Sequence, residues 1–153
     1  MMHRVTFRAG VGAIILNAEG QVLAFRRTKP PQVWQLPQGG MDRGEDPRDT
    51  VFREVEEETG ITRDKLALLD EHPDWVAYEF PPERRSDETR GQIHKWFVLR
   101  FEGDDADIDP EGADSAEFSE WRWMAMTELA EETAFFKRDV YRKLLAHFAD
   151  RFA

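Results

Sequence analysis

The chain has no cysteine, which excludes disulfide bonds, zinc–thiolate centres and a thiol nucleophile. It also has no apolar run approaching the roughly 20 residues that a membrane-spanning helix requires. The N-terminal stretch lacks the apolar core of a secretory signal peptide. From these absences we expect a cytoplasmic protein that does not interact with a membrane.

Basic residues are scarce, since 21 Lys and Arg stand against 31 Asp and Glu and the net charge is −10. The imbalance is local, because residues 102–120 contain nine acids and no base. The remainder of the chain carries about −1 and has room for local basic patches. The net charge therefore disfavours binding to nucleic acid through its phosphates but does not exclude a phosphate substrate.

Apolar residues make up 41% of the 153 residues, and five Trp and eleven Phe are among them. A chain of this length buries roughly two-thirds of its unfolded surface when it folds as one compact unit. We therefore expect residues 1–153 to form a single domain, and the high charge does not indicate disorder.

Short apolar segments with strand character occur on both sides of one long helical pattern. Residues 11–16 and 21–26 flank a turn and predict a β-hairpin. Further strands are predicted over residues 65–69, 75–80, 93–101 and 120–124, with polar loops over residues 83–91 and 103–115. Two later helices are predicted, a short one with Thr127 as its N-cap and an amphipathic one over residues 136–149. This order predicts an α/β fold whose sheet is covered on two faces.

The long helical pattern has Asp46 as N-cap, Pro47 at the first helical position and Gly60 just past its end. At about 100° per residue, one arc of this helix is suited to burial, and the neighbouring arc carries three carboxylates. The first arc holds Val51, Phe52, Val55 and Thr59, and the second holds Glu54, Glu57 and Glu58.

The negative charge of three carboxylates on one arc needs compensation by positive charge, because the carboxylates repel one another and the last of them lie at the negative end of the helix dipole. A divalent cation with oxygen ligands, such as Mg²⁺, would supply it. The alternative is that these glutamates form only a solvated face of the helix.

The stretch from residue 39 to residue 61 resembles the Nudix box at every specified position of that pattern. Nine residues match at its intervals: Gly39, Glu45, Arg53, Glu54, Val55, Glu57, Glu58, Gly60 and Ile61. The resemblance implies a Nudix-type α/β/α sandwich with a central mixed sheet and a catalytic loop-helix-loop. It also implies metal-dependent hydrolysis of phosphoanhydride bonds, with Mg²⁺ as cofactor and Mn²⁺ as its possible replacement.

The same resemblance implies roles for individual residues. The expected metal ligands are Glu54, Glu57 and Glu58, joined by the backbone carbonyl of Gln38 and by Glu117. Glu117, or one of the box glutamates, is also expected to act on the attacking water. Glu45 and Arg53 are expected to hold the loop-helix-loop in place through a charge-assisted hydrogen bond.

Stretches outside the box narrow the resemblance to one branch of the family. Residues 34–40, 91–97, 117–123 and 136–141 resemble bacterial RNA pyrophosphohydrolases and plant-type diadenosine tetraphosphate hydrolases, and residues 75–82 resemble the latter group. Two features depart from that branch. His94 stands where the branch commonly has Gln, and a Lys-Pro-Pro stretch lies between Arg27 and Trp34.

Five side chains are candidates for substrate binding. Arg27, Lys95 and Lys137 are expected to contact phosphates, and Phe136 or Tyr78 is expected to stack on a base. The alternative is that the cations are surface residues and that the rings, Tyr78 above all, belong to the core. The expected substrates are dinucleoside polyphosphates, such as diadenosine tetra- or pentaphosphate, and the 5′-triphosphate end of RNA. A nucleoside triphosphate pyrophosphatase and a non-catalytic nucleotide-binding regulator are the alternative functions.

Overall fold

A computed structural model describes residues 6–86, 89–113 and 117–153 of the chain. Its strands are β1 (Thr6–Leu16), β2 (Val22–Arg27), β3 (Trp34–Gln35), β4 (Gln38–Gly40), β5 (Leu66–Glu71), β6 (Val76–Glu79), β7 (Thr89–Phe101) and β8 (Phe118–Met124). Its α-helices are α1 (Pro47–Thr59), α2 (Met126–Glu132) and α3 (Arg138–His147). Short 3₁₀ turns lie at Arg63–Lys65, Pro82–Arg84, Asp105–Asp107, Phe135–Lys137 and Ala149–Arg151.

These strands form one mixed sheet around the parallel pair β1 and β7. The two central strands pair over their whole shared length, from Thr6 opposite Thr89 to Leu16 opposite Arg100. The other pairs are antiparallel, with β2 joined to β1, β3 and β8, β4 joined to β1, and β5 and β6 joined to β7. The predicted α/β class with a central mixed sheet is confirmed.

Alternate residues of the central strands face opposite sides of the sheet. One face forms a buried cluster with α2 and α3, in which Ile14 and Leu144 take part. The other face forms a second buried cluster with α1, in which Ile15 and Val55 take part. The sheet therefore lies between helices, and the predicted α/β/α sandwich is also confirmed.

The strands of the predicted hairpin are present, but β1 and β2 pair at one position, Leu16 opposite Val22. Beyond that position β4 occupies the edge of β1, where Gly12 lies opposite Gln38. The Ala13 N–H also donates to the Pro37 carbonyl at 2.9 Å. This insertion of β4 places the chain that precedes α1 against the central strand.

Helix α1 begins and ends where the sequence predicts. The Asp46 carboxylate accepts a hydrogen bond from the Arg48 N–H at 2.8 Å, and Gly60, with φ of 80°, donates to the Glu56 carbonyl. The predicted apolar arc is buried: Val51, Phe52, Val55 and Thr59. Because this arc packs on the sheet, the neighbouring arc of glutamates lies beside β4.

Two predictions about the later helices need correction. Thr127 is not the N-cap of the short helix; Ala125 takes that position and Thr127 is the second residue of α2. The helix starts earlier because Met126 is buried in the core together with Leu129. Helix α3 is shorter than predicted, since 3₁₀ turns replace its first and last residues.

The two predicted loops contain regular structure. Strand β7 begins at Thr89, inside the loop predicted for residues 83–91, and a 3₁₀ turn at Asp105–Asp107 lies inside the acidic segment. Asp104 and Asp107 cap this turn with their own side chains. The parts of the predicted loops at residues 87–88 and 114–115 lie outside the described residues. Among the described helices, none is long and apolar enough to cross a membrane.

Candidate active site

Arg53 joins α1 to the loop that precedes it through hydrogen bonds. Its guanidinium donates to both carboxylate oxygens of Glu45, at 2.7 and 2.8 Å, and to the Gly40 carbonyl at 3.0 Å. It also donates to Glu54 at 2.8 Å and to Glu57 at 3.2 Å. The bond from Arg53 holds the pKa of Glu45 at about 2, so this carboxylate is ionised at neutral pH. The geometry is that of a clamp that fixes the loop against the helix.

Glu54 and Glu58 face a pocket of about 610 Å³ that is lined by α1, β1, β4 and β7 and by the residue before β8, and we call it the carboxylate pocket. Its polar lining consists of Arg8, Gln38, Glu54, Glu58, Gln92, His94 and Glu117. Glu58 is 3% exposed and accepts a hydrogen bond from the Gln38 N–H at 3.2 Å. Burial, followed by the nearby charges of Glu117 and Glu54, raises the pKa of Glu58 well above its usual range. Burial likewise raises the pKa of Glu54.

A glycine makes the approach of β4 to these carboxylates possible. A Cβ atom at Gly39 would lie 1.9 Å from the Glu54 carboxylate, so any side chain there would displace Glu54. The first position of the Nudix-box pattern is therefore a steric requirement of the site.

The donor chemistry of the carboxylate pocket fits a divalent cation. Burial is the main cause of the raised pKa values of Glu54 and Glu58, and repulsion among Glu54, Glu58 and Glu117 adds to it. A cation bound there would relieve that repulsion. Within the described ranges, no three acidic or histidine side chains lie close enough together to enclose an ion. Mg²⁺ commonly binds one or two carboxylates and completes its coordination with water and substrate phosphates, so an open set of ligands suits it.

A second pocket, of about 300 Å³, opens beside the first and carries positive charge; we call it the cationic pocket. Its lining contains three cations, Arg27, Arg84 and Lys137, and three aromatic rings, Tyr78, Phe80 and Phe136. Gln38, Gln92 and Glu117 line both pockets. A substrate can therefore extend from carboxylates to cations without leaving the protein surface.

Lys137 is the buried cation of this second pocket. Its side chain is 6% exposed, and its ammonium donates to the Gln35 side-chain oxygen at 3.2 Å. Burial, followed by the charge of Arg27, lowers the pKa of Lys137 to about 8. The ammonium is charged near neutral pH, and no carboxylate in the part of the chain that the structure describes lies at hydrogen-bond distance from it, which suits an anionic ligand.

Tyr78 connects the two pockets. Its hydroxyl donates to the Gln92 side-chain oxygen at 2.6 Å, and the Gln38 side-chain amide donates to that hydroxyl at 3.2 Å. The Tyr78 ring is 7% exposed and packs between His94 and Phe136. This burial supports a role in positioning Gln38 and Gln92 and leaves Phe136, which is half-buried at the pocket edge, as the ring suited to stack on a base.

Four of the candidate residues lie outside both pockets: Lys95, Glu57 and the two residues of the clamp, Glu45 and Arg53. Lys95 is on the face of β7 opposite His94, where its ammonium lies 3.6 Å from the Glu71 carboxylate. Glu57 has a side chain that is 43% exposed and turned to Arg53. The remaining candidates line one pocket or both.

Four polar side chains are among the pocket residues that the sequence reasoning missed. Gln35 and Gln92 lie in two stretches that carry the family resemblance, residues 34–40 and 91–97, and that resemblance is the signal that points to them. Arg84 comes from a 3₁₀ turn in a predicted loop, and Arg8 comes from the start of β1. No periodicity in the sequence marks either arginine.

A mixed sheet between helices, with a carboxylate pocket that opens into a cationic one, is suited to a hydrolase of phosphate anhydrides, and this is the class of protein that the site indicates. The NUDIX domain family model matches residues 6–144, and the chain belongs to this family. The predicted Nudix resemblance is thus confirmed.

Individual relatives agree with this assignment. The chain is 41% identical over 155 residues to an RNA pyrophosphohydrolase of Gluconacetobacter diazotrophicus, with 94% of this chain and 92% of the relative covered. It is 45% identical over 147 residues to an RNA pyrophosphohydrolase of Rhodospirillum rubrum, with coverage of 94% and 87%. It is 38% identical over 152 residues to Nudix hydrolase 26, chloroplastic, of Arabidopsis thaliana, with coverage of 94% and 69%.

Solved structures share the fold at low sequence identity. A C. elegans Ap4A hydrolase has a TM-score of 0.69 at 21% identity, with 94% of this chain and 98% of that chain covered. The E. coli dihydroneopterin triphosphate pyrophosphohydrolase has a TM-score of 0.72 at 20% identity, with coverage of 93% and 99%. The family and these relatives show that the protein is a Nudix hydrolase that acts on pyrophosphate bonds, and enzymes of this family generally depend on a divalent metal ion.

Proposed function

We propose that the protein uses Mg²⁺ to hydrolyse dinucleoside polyphosphates, such as diadenosine tetra- or pentaphosphate, and to remove pyrophosphate from 5′-triphosphorylated RNA. The observation that carries the proposal is the adjacency of the carboxylate and cationic pockets, which share Gln38, Gln92 and Glu117. The names of the relatives support the RNA activity. The chain is proposed to act as one domain, with Mn²⁺ as an alternative metal.

The proposed metal ligands are Glu54 and Glu58 of the carboxylate pocket. Glu57, Glu117 and the Gln38 carbonyl are proposed as further donors that would have to move towards the ion, because no three acidic side chains of the described ranges are close enough to enclose it. A bound Mg²⁺ would shield phosphate oxygens and lower the pKa of a water. Glu117 is the proposed base, because it is exposed and lines both pockets, so its carboxylate can accept a proton from the attacking water. Glu45 and Arg53 hold the helix that presents the other carboxylates.

On the substrate side, Lys137, Arg27 and Arg84 are proposed to neutralise the phosphates that remain with the leaving group. The Lys137 ammonium is already removed from water in the folded protein. An anion that binds it therefore replaces the interactions with water that burial removed. Phe136 is proposed to stack on a nucleobase at the pocket edge. A phosphate contact of Lys95 stays a prediction, and it requires a substrate that reaches the other face of β7.

The proposal is tested by phosphate and nucleotide release from four substrate classes: dinucleoside polyphosphates, triphosphorylated RNA, nucleoside triphosphates and nucleotide sugars. We expect the first two classes to give the highest kcat/KM with Mg²⁺, and EDTA to abolish the activity. A preference for nucleoside triphosphates would replace this proposal with a nucleoside triphosphate pyrophosphatase. Absence of turnover on all four classes, with the fold intact by thermal unfolding, would contradict it.

A further inference from the structure

His94 lines the carboxylate pocket but has no part in the mechanism proposed above. The residue is 2% exposed, and its ring stacks on that of Tyr78 with 5.8 Å between centroids. The His94 ring also meets the Trp96 ring at 63°, with 6.0 Å between centroids. These two aromatic neighbours fix the orientation of the imidazole before a ligand binds.

The central strand of the sheet leaves room for this ring. Gly10 of β1 lies opposite His94 of β7, and a Cβ atom at Gly10 would lie 3.1 Å from the His94 Cδ2 atom. Gly10 lines the carboxylate pocket as well. The ring edge that carries Cδ2 and the adjoining Nε2 therefore faces Gly10 and the pocket.

The two nitrogens of the His94 ring differ in their surroundings. The Nδ1 atom is buried, and among the described residues it has no hydrogen-bond partner. A hydrogen atom on Nδ1 would thus be a buried donor without an acceptor, an arrangement that is rare in folded proteins. The neutral ring therefore carries its hydrogen on Nε2, where an acceptor can reach it from the pocket.

Burial also determines the charge of this ring. It lowers the pKa of His94 to about 3, and the positive charge of Lys137 adds to the effect. The imidazole is therefore a neutral donor at physiological pH. A cation in its place would form ion pairs with the glutamates of the pocket, whereas a neutral N–H group remains available to a ligand.

The neighbouring amide of Gln38 does not offer a ligand such a donor. Its side-chain nitrogen already donates to the Tyr78 hydroxyl at 3.2 Å and to the Gln92 side-chain oxygen at 3.0 Å. The Gln38 side-chain oxygen is an acceptor and cannot pair with a phosphate oxygen. His94 is thus a neutral donor that a phosphate oxygen in the carboxylate pocket can use.

We propose that His94 is a substrate-binding residue whose Nε2–H donates a hydrogen bond to a phosphoryl oxygen of the bound polyphosphate. The inference rests on the proposed function, because it requires a polyphosphate in the carboxylate pocket. Phosphoryl oxygens are anionic, and a hydrogen bond to a charged group is stronger than one between neutral groups. The chain departs from the Gln of the branch at this position but retains a neutral donor.

The test compares two substitutions at this position. His94→Gln retains a neutral N–H donor, whereas His94→Leu removes it and remains suited to burial. In His94→Leu we expect kcat/KM for diadenosine tetraphosphate to fall about tenfold or more, as expected for the loss of one hydrogen bond to a charged group. His94→Gln should remain close to the wild type. His147→Leu changes an exposed histidine of α3 that lines neither pocket, and it is the matched control.

Binding of inorganic tripolyphosphate in Ca²⁺, measured by calorimetry, provides a readout that requires neither a nucleoside nor turnover. We expect Kd to rise about tenfold in His94→Leu and to be unchanged in His94→Gln and in the control. If the wild type turns over none of the proposed substrates yet binds tripolyphosphate through His94, the proposed function fails and this inference stands.

Thermal unfolding checks the fold of each variant, and His94→Met is a second variant without the donor that replaces His94→Leu if the latter does not fold. Equal binding of tripolyphosphate by the wild type and a folded variant without the donor would overturn the inference. Equal losses in His94→Gln and His94→Leu would overturn it as well, because the shape of the ring, and not its N–H group, would then be what matters.

Discussion

Replacement of Lys137 by Met should stabilise the free protein and weaken substrate binding at the same time. Met has a similar length and no charge, so the change removes the cost of keeping an ammonium in a buried position. The same change removes a cation from the pocket in which phosphates are proposed to bind. If Lys137 contributed only to the stability of the fold, its replacement would not stabilise the free protein and weaken substrate binding at the same time.

The size of the stabilisation follows from the pKa. Burial lowers the pKa of Lys137 from 10.5 to about 8, and at about 1.4 kcal/mol for each pKa unit this corresponds to about 3 kcal/mol. The buried ammonium lowers the free energy of unfolding, because the folded state binds the proton of Lys137 more weakly than the unfolded state does. The full cost is present below pH about 8 and disappears as the pH rises to about 10.5. Loss of the hydrogen bond to Gln35 offsets part of the gain, by about 1 kcal/mol.

The assay is urea unfolding of the wild type and Lys137→Met at neutral and alkaline pH, combined with KM for diadenosine tetraphosphate at neutral pH. We expect the variant to be more stable by about 2 kcal/mol at neutral pH, with the difference shrinking at alkaline pH. Lys143→Met, at an exposed position of α3, is the control and should change neither quantity. A variant that is less stable at neutral pH, or that binds substrate as well as the wild type, would refute the reasoning.

Three further predictions follow from the site. Glu45→Gln should lower the free energy of unfolding at neutral pH, and the difference should vanish as the pH falls from 4.5 to about 2, where Glu45 itself becomes protonated; a difference that persists in acid would contradict the Arg53 clamp. Phe136→Ala should raise KM for nucleotides more than it lowers kcat, by about tenfold, whereas a lower melting temperature with unchanged KM would place the ring in the core. Replacement of the acids in residues 104–109 by Asn, which can still cap a turn, should raise kcat/KM for triphosphorylated RNA at low salt. It should leave kcat/KM for diadenosine tetraphosphate unchanged. If kcat/KM for RNA does not rise, repulsion between the acidic segment and RNA phosphates is not a reason for a preference for the dinucleotide.

The loop-helix-loop was predictable because its determinants are local. The N-cap at Asp46, the left-handed Gly60 and the apolar arc of α1 all act within one or two turns of the helix, and the structure has each of them. The Thr127 cap failed because a tertiary effect, the burial of Met126, decided where α2 begins. The preference of a residue for the N-cap position has little influence on where a helix begins when a neighbouring residue is buried in the core.

The pockets were less predictable, because they join segments that are distant in sequence. Lys95 and His94 are neighbours on β7, yet only His94 lines the carboxylate pocket. Adjacent residues of a strand face opposite sides of the sheet, but the sequence of the strand does not show which side meets a given helix. Glu57 is on the predicted arc of carboxylates, but its side chain accepts hydrogen bonds from Arg53 and does not line the pocket. Helical spacing does not show whether a glutamate on this arc turns towards Arg53 or towards the pocket.

The central claim is that the carboxylates of α1 hold the metal that hydrolysis requires. The most direct test is the Mg²⁺ dependence of hydrolysis in the wild type, in Glu58→Gln and in Glu56→Gln, with the fold of each protein checked by thermal unfolding. Glu58 lines the carboxylate pocket, whereas Glu56 is exposed on the same helix and is the matched control. The account predicts that kcat falls by several orders of magnitude in Glu58→Gln at saturating Mg²⁺ and is unchanged in Glu56→Gln. Full turnover by a folded Glu58→Gln protein would contradict it.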